Sequence, residues 1–140
     1  DRVNWQHSDA VDWLRRPGPK FGLLMDDLSV SHHGDVVKPP VSWSVLPGLI
    51  RRRLRPGGVA IFNLMLPPGG RWNPELNRLA GKFKAARIID FDQFENRIMV
   101  GGDDLPSSRD LGLLLRRALR QLRSRQSGRI HLHQMRSSRH

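Results

Sequence analysis

Two adjacent acidic residues, Asp26 and Asp27, directly follow the apolar segment "FGLLM" at residues 21–25. An Asp at the carboxyl end of a strand can act as a general base that removes a proton from a bound substrate. Neighbouring side chains of an extended backbone point to opposite sides, so only one of the two can reach a given cleft. Asp27 or Asp26 is therefore a candidate catalytic residue. The alternative is a structural Asp at the start of a loop.

Histidines offer a second kind of chemistry. His32 and His33 lie in the polar segment "SVSHHGDVVKPP", whereas His131 and His133 lie far along the chain. A zinc site needs three or four ligands close together, and these two pairs are too distant in sequence to be assigned to one site. The sequence therefore predicts no metal site, and His32 and His33 remain candidates for an active-site lid.

Strands and helices are predicted to alternate along the chain until a closing strand pair. The predicted strands cover residues 3–7, 21–25 and 59–65, followed by "ARIIDF" and "NRIMVGG". The predicted helices cover residues 8–16, 42–54, 74–83 and 107–123, and Pro47 must delay or kink the second of them. In the last helix, five leucines and Ala118 form one apolar stripe that is expected to pack on the sheet.

This alternation favours an α/β fold with a doubly wound, mainly parallel sheet that ends in an antiparallel strand. We expect residues 21–25 and 59–65 to be neighbouring parallel strands, with the closing strand pair continuing the sheet beyond the latter. Residues 1–104 would form the α/β domain, and residues 105–124 an amphipathic helix that packs on it. Residues 125–140 would form a basic, flexible tail, in which "RIHLH" could add a short strand.

The net charge of +11 is concentrated near the end of the chain. Residues 1–104 hold 15 Lys and Arg against 12 Asp and Glu, whereas residues 105–140 hold 9 against 1. Such a basic segment allows a non-catalytic module that binds nucleic acid or an acidic partner, but solvated Arg-rich helices are common, so this function is not favoured.

Other classes of protein are excluded or disfavoured by composition. Without cysteine, the chain has no disulfide framework, which fits a cytoplasmic protein. No apolar run approaches the roughly 20 residues that span a bilayer, and the first residues lack the pattern of a signal peptide. We therefore expect no membrane partner.

Four segments in order resemble the C-terminal half of a class I S-adenosylmethionine-dependent methyltransferase, in particular its spermidine-synthase-like branch. They are "SDAVDWL", "FGLLMDDLS", "LRPGGVAIFNL" and "FENRIMVGG". The resemblance implies a partial Rossmann-like sheet that lacks the first strands. It also implies that Asp9 bonds the adenine amino group, with Ala10 packing nearby, although Asp9 is equally suited to cap a helix. Asp27 or Asp26 would line the active site or deprotonate the attacking amine.

The resemblance further implies group transfer from S-adenosylmethionine, or its decarboxylated form, to a small molecule or polyamine. It does not distinguish methyl from aminopropyl transfer. The family's Gly-rich loop, and the acidic residue that holds the ribose, do not occur in this chain, so we expect a fragment that is inactive alone. Because the exposed edge of the 21–25 strand would lack its partner, self-association or pairing with a missing N-terminal half is expected.

Overall fold

The structure, a computed structural model, describes residues 3–66 and 69–135. The strands are β1 (Phe21–Asp26), β2 (Val30–His32), β3 (Asp35–Val37), β4 (Leu54–Leu64), β5 (Ala85–Phe91), β6 (Phe94–Gly102) and β7 (Ile130–Met135). The α-helices are α1 (Ala10–Arg15), α2 (Pro40–Ser44), α3 (Leu46–Arg53), α4 (Trp72–Ala80) and α5 (Ser108–Gln121). A short 3-10 helix, Arg125–Gly128, precedes β7.

Five strands form one mixed sheet in the order β1-β4-β6-β5-β7, and β2 and β3 form a separate hairpin. The β1–β4 pair is parallel, whereas β4–β6, β6–β5 and β5–β7 are antiparallel. The α/β class is therefore confirmed, but the prediction of a mainly parallel sheet is wrong. Residues 3–7 form no strand although they alternate in polarity, and β7 adds an antiparallel strand at the far edge.

The predicted neighbours along the sheet are confirmed. β1 and β4 pair in parallel, with Leu24 opposite Ala60 and Asp26 opposite Phe62. The β5–β6 hairpin continues the sheet beyond β4, and β6 is the strand that contacts β4. The two apolar runs were therefore predicted correctly as neighbouring parallel strands.

One side of the sheet, the first face, carries the larger core. Helices α1, α2, α3 and α4 pack here on alternate residues of the strands, which include Phe62, Ile88 and Met99. Phe83 packs against the sheet at Gly101, where an added Cβ would lie 2.7 Å from the ring. This position therefore excludes any larger side chain unless Phe83 moves.

The opposite side, the second face, is covered by α5 alone among the described helices. Leu115 and Leu119 pack there with the buried residues Ile89, Val100 and Ile130. Other members of the predicted apolar stripe lie outside this contact: Leu114 is 57% exposed and Leu122 77% exposed. The prediction that the whole stripe packs on the sheet is therefore wrong, because the stripe is wider than the contact.

The segment "RIHLH", which could add a short strand, forms part of β7, and β7 pairs with β5 from Ile130 to Met135. His131 and His133 contact carboxylates of the neighbouring strand and turn: the His131–Asp92 distance is 2.7 Å and the His133–Asp90 distance 3.0 Å. Part of the basic C-terminal segment is thus integrated into the sheet, whereas residues 136–140 lie outside the described residues.

The helix predicted at residues 42–54 is two helices, α2 and α3, and Pro47 lies in the first turn of the second. Every helix within residues 3–66 and 69–135 is too short or too polar to cross a lipid bilayer.

Arg53 connects α1, β1 and α3 from a buried position. Its guanidinium donates hydrogen bonds to the carbonyls of Arg16, at 2.7 Å, and Pro19, at 3.1 Å, and lies 5.0 Å from the Trp13 ring. Its neighbours in the run "RRR", Arg51 and Arg52, are exposed.

We predict that Arg53→Gln lowers the free energy of unfolding by about 2 to 4 kcal/mol, because buried carbonyls lose a charged donor and the Trp13 ring loses its cation. Arg52→Gln, on the exposed side of the same helix, is the matched control and should change it by less than about 0.5 kcal/mol. Urea denaturation of both variants measures the difference. Equal losses would show that Arg53 has no connecting role.

Candidate functional site

The carboxyl ends of β1 and β4 meet at one edge of the sheet, the carboxyl edge, because these strands are parallel. The β5–β6 hairpin turns at the same edge, since the start of β6 pairs with the end of β4 at Arg97 and Leu64. Ligands of open α/β sheets bind beyond the carboxyl ends of parallel strands. The candidate site is therefore sought here.

Asp26 is buried and forms an ion pair with Lys38, whose Nζ lies 2.9 Å from Oδ1. Lys38 Nζ also donates to the Asp26 backbone carbonyl at 3.1 Å, and the Leu28 amide donates to Oδ1 at 3.0 Å. Both charged side chains are almost completely removed from solvent. In this structure Asp26 joins the end of β1 to the segment before α2.

Asp27, unlike Asp26, is exposed. Its Oδ1 accepts a hydrogen bond of 2.7 Å from Asn63 Nδ2 on β4, and Asn63 Oδ1 accepts one of 2.7 Å from Asn96 Nδ2 on β6. Because the Asn63 carbonyl oxygen is engaged by Asn96, its amide group is oriented to donate to Asp27. Three neighbouring strands thus hold one carboxylate at the carboxyl edge.

A cavity of about 880 Å³ opens at the same edge, and we call it the acidic cavity. Its lining contains three carboxylates, from Asp35, Asp90 and Glu95, and one guanidinium, from Arg97. Arg97 is itself compensated, because its Nε lies 2.9 Å from Asp90 Oδ1. The cavity therefore offers a negative environment on a chain whose net charge is strongly positive.

Aromatic rings complete the wall of the acidic cavity. Trp72, Phe91 and Phe94 line it, and the Arg97 guanidinium lies 4.5 Å from the centre of the Trp72 ring. Aromatic faces attract cations, and the Trp72 face already holds one. Carboxylates combined with aromatic faces favour a ligand that is cationic and partly apolar.

The predicted cofactor residues lie on the first turn of α1. Asp9 is the N-cap: its Oδ1 accepts hydrogen bonds from the amides of Val11, at 2.8 Å, and Asp12, at 3.0 Å. Ala10 is half-buried against the first-face core. The capping role of Asp9 is therefore confirmed, and its contact with adenine stays a prediction.

The structure brings together only part of the predicted set. The lining of the acidic cavity contains none of the predicted residues Asp9, Ala10, Asp26 and Asp27. Asp27 is connected to the cavity by hydrogen bonds through Asn63 to Asn96, and Asn96 does belong to the lining. Sequence reasoning missed the roles of Lys38, Asn63 and Asn96. A polar Asn inside the apolar run of β4 was the signal that could have indicated Asn63, since such a residue needs a partner.

The histidine candidates form no metal centre in the part of the chain that the structure describes. No three His, Asp or Glu side chains converge there as metal ligands would. His32 and His33 contact each other edge to face at the tip of the β2–β3 hairpin, with 4.3 Å between ring centres.

Comparison of the chain with protein-family models, with curated proteins and with solved structures gives no match. The resemblance to class I methyltransferases therefore stays a prediction that depends on the residues themselves.

We predict that Lys38→Met lowers the free energy of unfolding by about 3 to 5 kcal/mol, because it leaves the Asp26 carboxylate buried and uncompensated. The matched control is Arg78→Met, which breaks an exposed pair with Glu75 on α4 and should cost less than about 1 kcal/mol. Thermal and urea denaturation at neutral pH measure both.

A loss below about 1 kcal/mol in Lys38→Met would show that Asp26 does not need its partner. The double variant Asp26→Leu/Lys38→Met removes both charges, and it should recover much of the stability that the single variant loses.

Proposed function

We propose that this chain forms the acceptor-binding side of an S-adenosylmethionine-dependent group-transfer domain, with an amine as the acceptor. The observation that carries the proposal is the position of Asp27: it directly follows the parallel strand β1, accepts a hydrogen bond from Asn63, and is connected through Asn63 and Asn96 to an acidic, aromatic cavity. The order β1-β4-β6-β5, with α3 in the β1–β4 crossover, supports it, because this is the arrangement that the resemblance implies.

The reaction class requires a base near the acceptor nitrogen. When bound, S-adenosylmethionine or its decarboxylated form supplies an electrophilic carbon attached to a sulfonium. Asp27 would take a proton from the bound ammonium and so free the nitrogen lone pair that forms the C–N bond; the electron pair of the C–S bond that breaks would stay on sulfur. Asp26 cannot share this role while its carboxylate is paired with Lys38.

The two asparagines are positioning residues in this proposal. Asn63 donates to Oδ1 of Asp27, so the other carboxylate oxygen is left to face the acceptor. Asn96 fixes the orientation of the Asn63 amide. Holding the base in one geometry removes part of the entropic cost of the proton transfer.

The acceptor class follows from the lining of the acidic cavity. Asp35 and Glu95 supply negative charge, and Trp72 and Phe94 supply aromatic surface. A protonated amine gains from both, whereas an anionic acceptor would meet three carboxylates. Methyl transfer to an amine and aminopropyl transfer to a polyamine both fit this lining.

On the cofactor side, Asp9 is the residue with the chemistry to contact adenine. Its two cap bonds are both accepted by Oδ1, so Oδ2 remains available to accept from the adenine amino group. Ala10 presents a small side chain beside it, and a small residue allows a flat ring to approach closely. The 13 glycines of the chain include no GxGxxG turn to hold the remainder of the molecule.

We predict that spermidine binds the acidic cavity and shifts the side-chain amide signals of Asn96 in NMR spectra. The double variant Asp35→Asn/Glu95→Gln should weaken binding about tenfold or more, since each lost charge contact is worth on the order of 1 kcal/mol. Asp103→Asn removes an exposed carboxylate outside the lining and is the matched control. Binding of neutral 1,8-octanediol with equal affinity, or indifference to the double variant, would contradict an amine acceptor.

We also predict that S-adenosylmethionine binds this chain alone only in the millimolar range. Each missing hydrogen bond to a polar ligand group costs about 0.5 to 3 kcal/mol, and every 1.4 kcal/mol or so is a factor of ten. Calorimetric titration measures the affinity, with Asp9→Asn and Asp12→Asn as the test and control variants. Micromolar binding would overturn the prediction, and micromolar binding insensitive to Asp9→Asn would also remove the proposed adenine contact.

A further inference from the structure

A second cavity, of about 270 Å³, opens at the edge of the sheet opposite the carboxyl edge. We call this edge the amino edge, because the parallel strands β1 and β4 begin there. Strand β6 ends at the same edge, since Gly102 pairs with Val59 near the beginning of β4. The cavity, which we call the basic cavity, is lined by three cationic side chains and one carboxylate: Lys20, Arg51, Arg55 and Asp103.

The three cations of the basic cavity come from separate elements. Lys20 directly precedes β1, Arg51 lies in the last turn of α3, and Arg55 lies near the beginning of β4. No carboxylate of residues 3–66 and 69–135 comes within 4.0 Å of their charged nitrogens. The Asp103 carboxylate is already compensated, because its Oδ2 lies 3.5 Å from Lys84 Nζ. Folding therefore gathers like charges around one small space, and an anion bound there would relieve their repulsion.

A bulge in β4 places Arg55 at this cavity. Between the Phe21–Leu54 pair and the Leu23–Val59 pair lie one residue of β1, Gly22, and four residues of β4, 55–58. Such bulges change the direction in which a strand aims its side chains. The Arg55 guanidinium lies directly against the backbone of β1, since a Cβ added to Gly22 would be 2.5 Å from its Nη2. Only a glycine at position 22 leaves room for the guanidinium there.

The dipole of α3 explains only part of this arrangement. The carboxyl end of a helix attracts cations, which accounts for Arg51 and Arg52 in the last turn of α3. It does not account for Lys20, which belongs to the beginning of β1, or for the close approach of Arg55 to Gly22. The convergence of all three cations thus needs a reason other than the helix end.

The chemistry of the lining favours a phosphate group. Guanidiniums bind phosphate through paired N–H donors, and an ammonium adds a compact charge. A phosphate monoester carries roughly −1.5 to −2 charges at pH 7, which suits three cations better than a single carboxylate does. Leu54, Pro56 and Phe83 line the same cavity, so they offer apolar surface to the remainder of a ligand.

The size of the basic cavity favours a small ligand. Pockets for drug-sized ligands begin at about 300 Å³, and this cavity is slightly smaller. Single-stranded nucleic acid is bound along a positively charged groove that follows its backbone. Here the cations surround one cavity instead, so a phosphorylated small molecule fits the lining better than a polynucleotide.

We propose that the basic cavity binds the phosphate group of a small phosphorylated molecule, with Arg51 and Arg55 as the phosphate donors and Lys20 as the third charge. This site lies at the amino edge of the sheet, whereas the acidic cavity lies at the carboxyl edge. The proposal is therefore independent of the proposed function.

The probe is inorganic pyrophosphate, titrated into the full chain at low salt by isothermal calorimetry. We expect a Kd of about 0.1 mM or tighter that weakens as salt is raised. Arg51→Gln and Arg55→Gln should each weaken binding by about tenfold or more, because each removes charge-assisted hydrogen bonds. Both side chains are exposed, so the variants should remain folded, which circular dichroism checks.

Arg52→Gln is the matched control. Arg52 is exposed, lies in the same last turn of α3 as Arg51 and carries the same charge, but it is outside the lining. Its variant should bind pyrophosphate within about twofold of the unmodified chain, since only the net charge changes. Equal weakening by Arg52→Gln and Arg51→Gln would show attraction by net charge alone and would overturn the site.

Gly22→Ala tests the arrangement without removing a charge. Its Cβ would meet the end of the flexible Arg55 side chain, so the guanidinium should move while the fold remains. We expect pyrophosphate binding to weaken severalfold although the net charge is unchanged. Unaltered binding in Gly22→Ala would contradict the role given to the bulge and to Arg55.

Other ligands are outcomes that would overturn the proposal. Equal affinity for citrate would show that the cavity does not select phosphate. Tighter binding of a single-stranded oligonucleotide, or of vesicles that contain phosphoinositides, would replace the small molecule by a polynucleotide or a lipid headgroup if Arg55→Gln abolished it. Failure of pyrophosphate to bind would overturn the proposal as well. None of these results bears on spermidine binding, so they leave the proposed function to its own test.

Discussion

The buried ion pair between Asp26 and Lys38 is the constraint on which the carboxyl edge depends. Both side chains are almost completely buried, so removing either one would leave the other charge buried and unpaired, which destabilises the fold. Lys38 also bonds the Asp26 backbone, and it lies immediately before the segment that enters α2. The pair therefore ties the end of β1 to the beginning of the helical layer on the first face, and it closes the β2–β3 hairpin between them. Because Asp26 is paired with Lys38, Asp27 is the carboxylate of the two that stays exposed.

Sheet order then decides what surrounds Asp27. Because β1, β4 and β6 are neighbours, polar residues from three distant parts of the sequence meet in one hydrogen-bonded chain, Asp27–Asn63–Asn96. Each amide has both a donor and an acceptor, so the direction of the chain is set by the carboxylate, which can only accept. The site is precise because it lies on strands, and Asn96 extends the same network into the wall of the acidic cavity.

The local pattern of apolar and turn-forming residues was enough to predict the long strands of the sheet. Apolar runs bounded by Pro and Gly gave β1, β4 and the β5–β6 hairpin, together with their neighbours in the sheet. Residues 3–7 alternate like a strand, but a strand exists only where a partner can satisfy its backbone. Arg53 could not be distinguished from Arg51 and Arg52, because only the position of α1 makes it buried. Lys38 lies in a polar segment of the sequence, twelve residues after Asp26. The sequence does not show that the two residues form an ion pair, because the pair depends on the β2–β3 hairpin that brings Lys38 back to the end of β1.

The Arg-rich helix α5 and the acidic cavity occupy different parts of the sheet. Four helices cover the first face, and the acidic cavity opens at the carboxyl edge, whereas the Arg-rich α5 covers only part of the second face. Residues 105–140 carry 9 of the 24 Lys and Arg and one of the 13 Asp and Glu, and the arginines of α5 are among these nine. A cationic ligand at the carboxyl edge therefore meets a local field unlike the net charge of the chain.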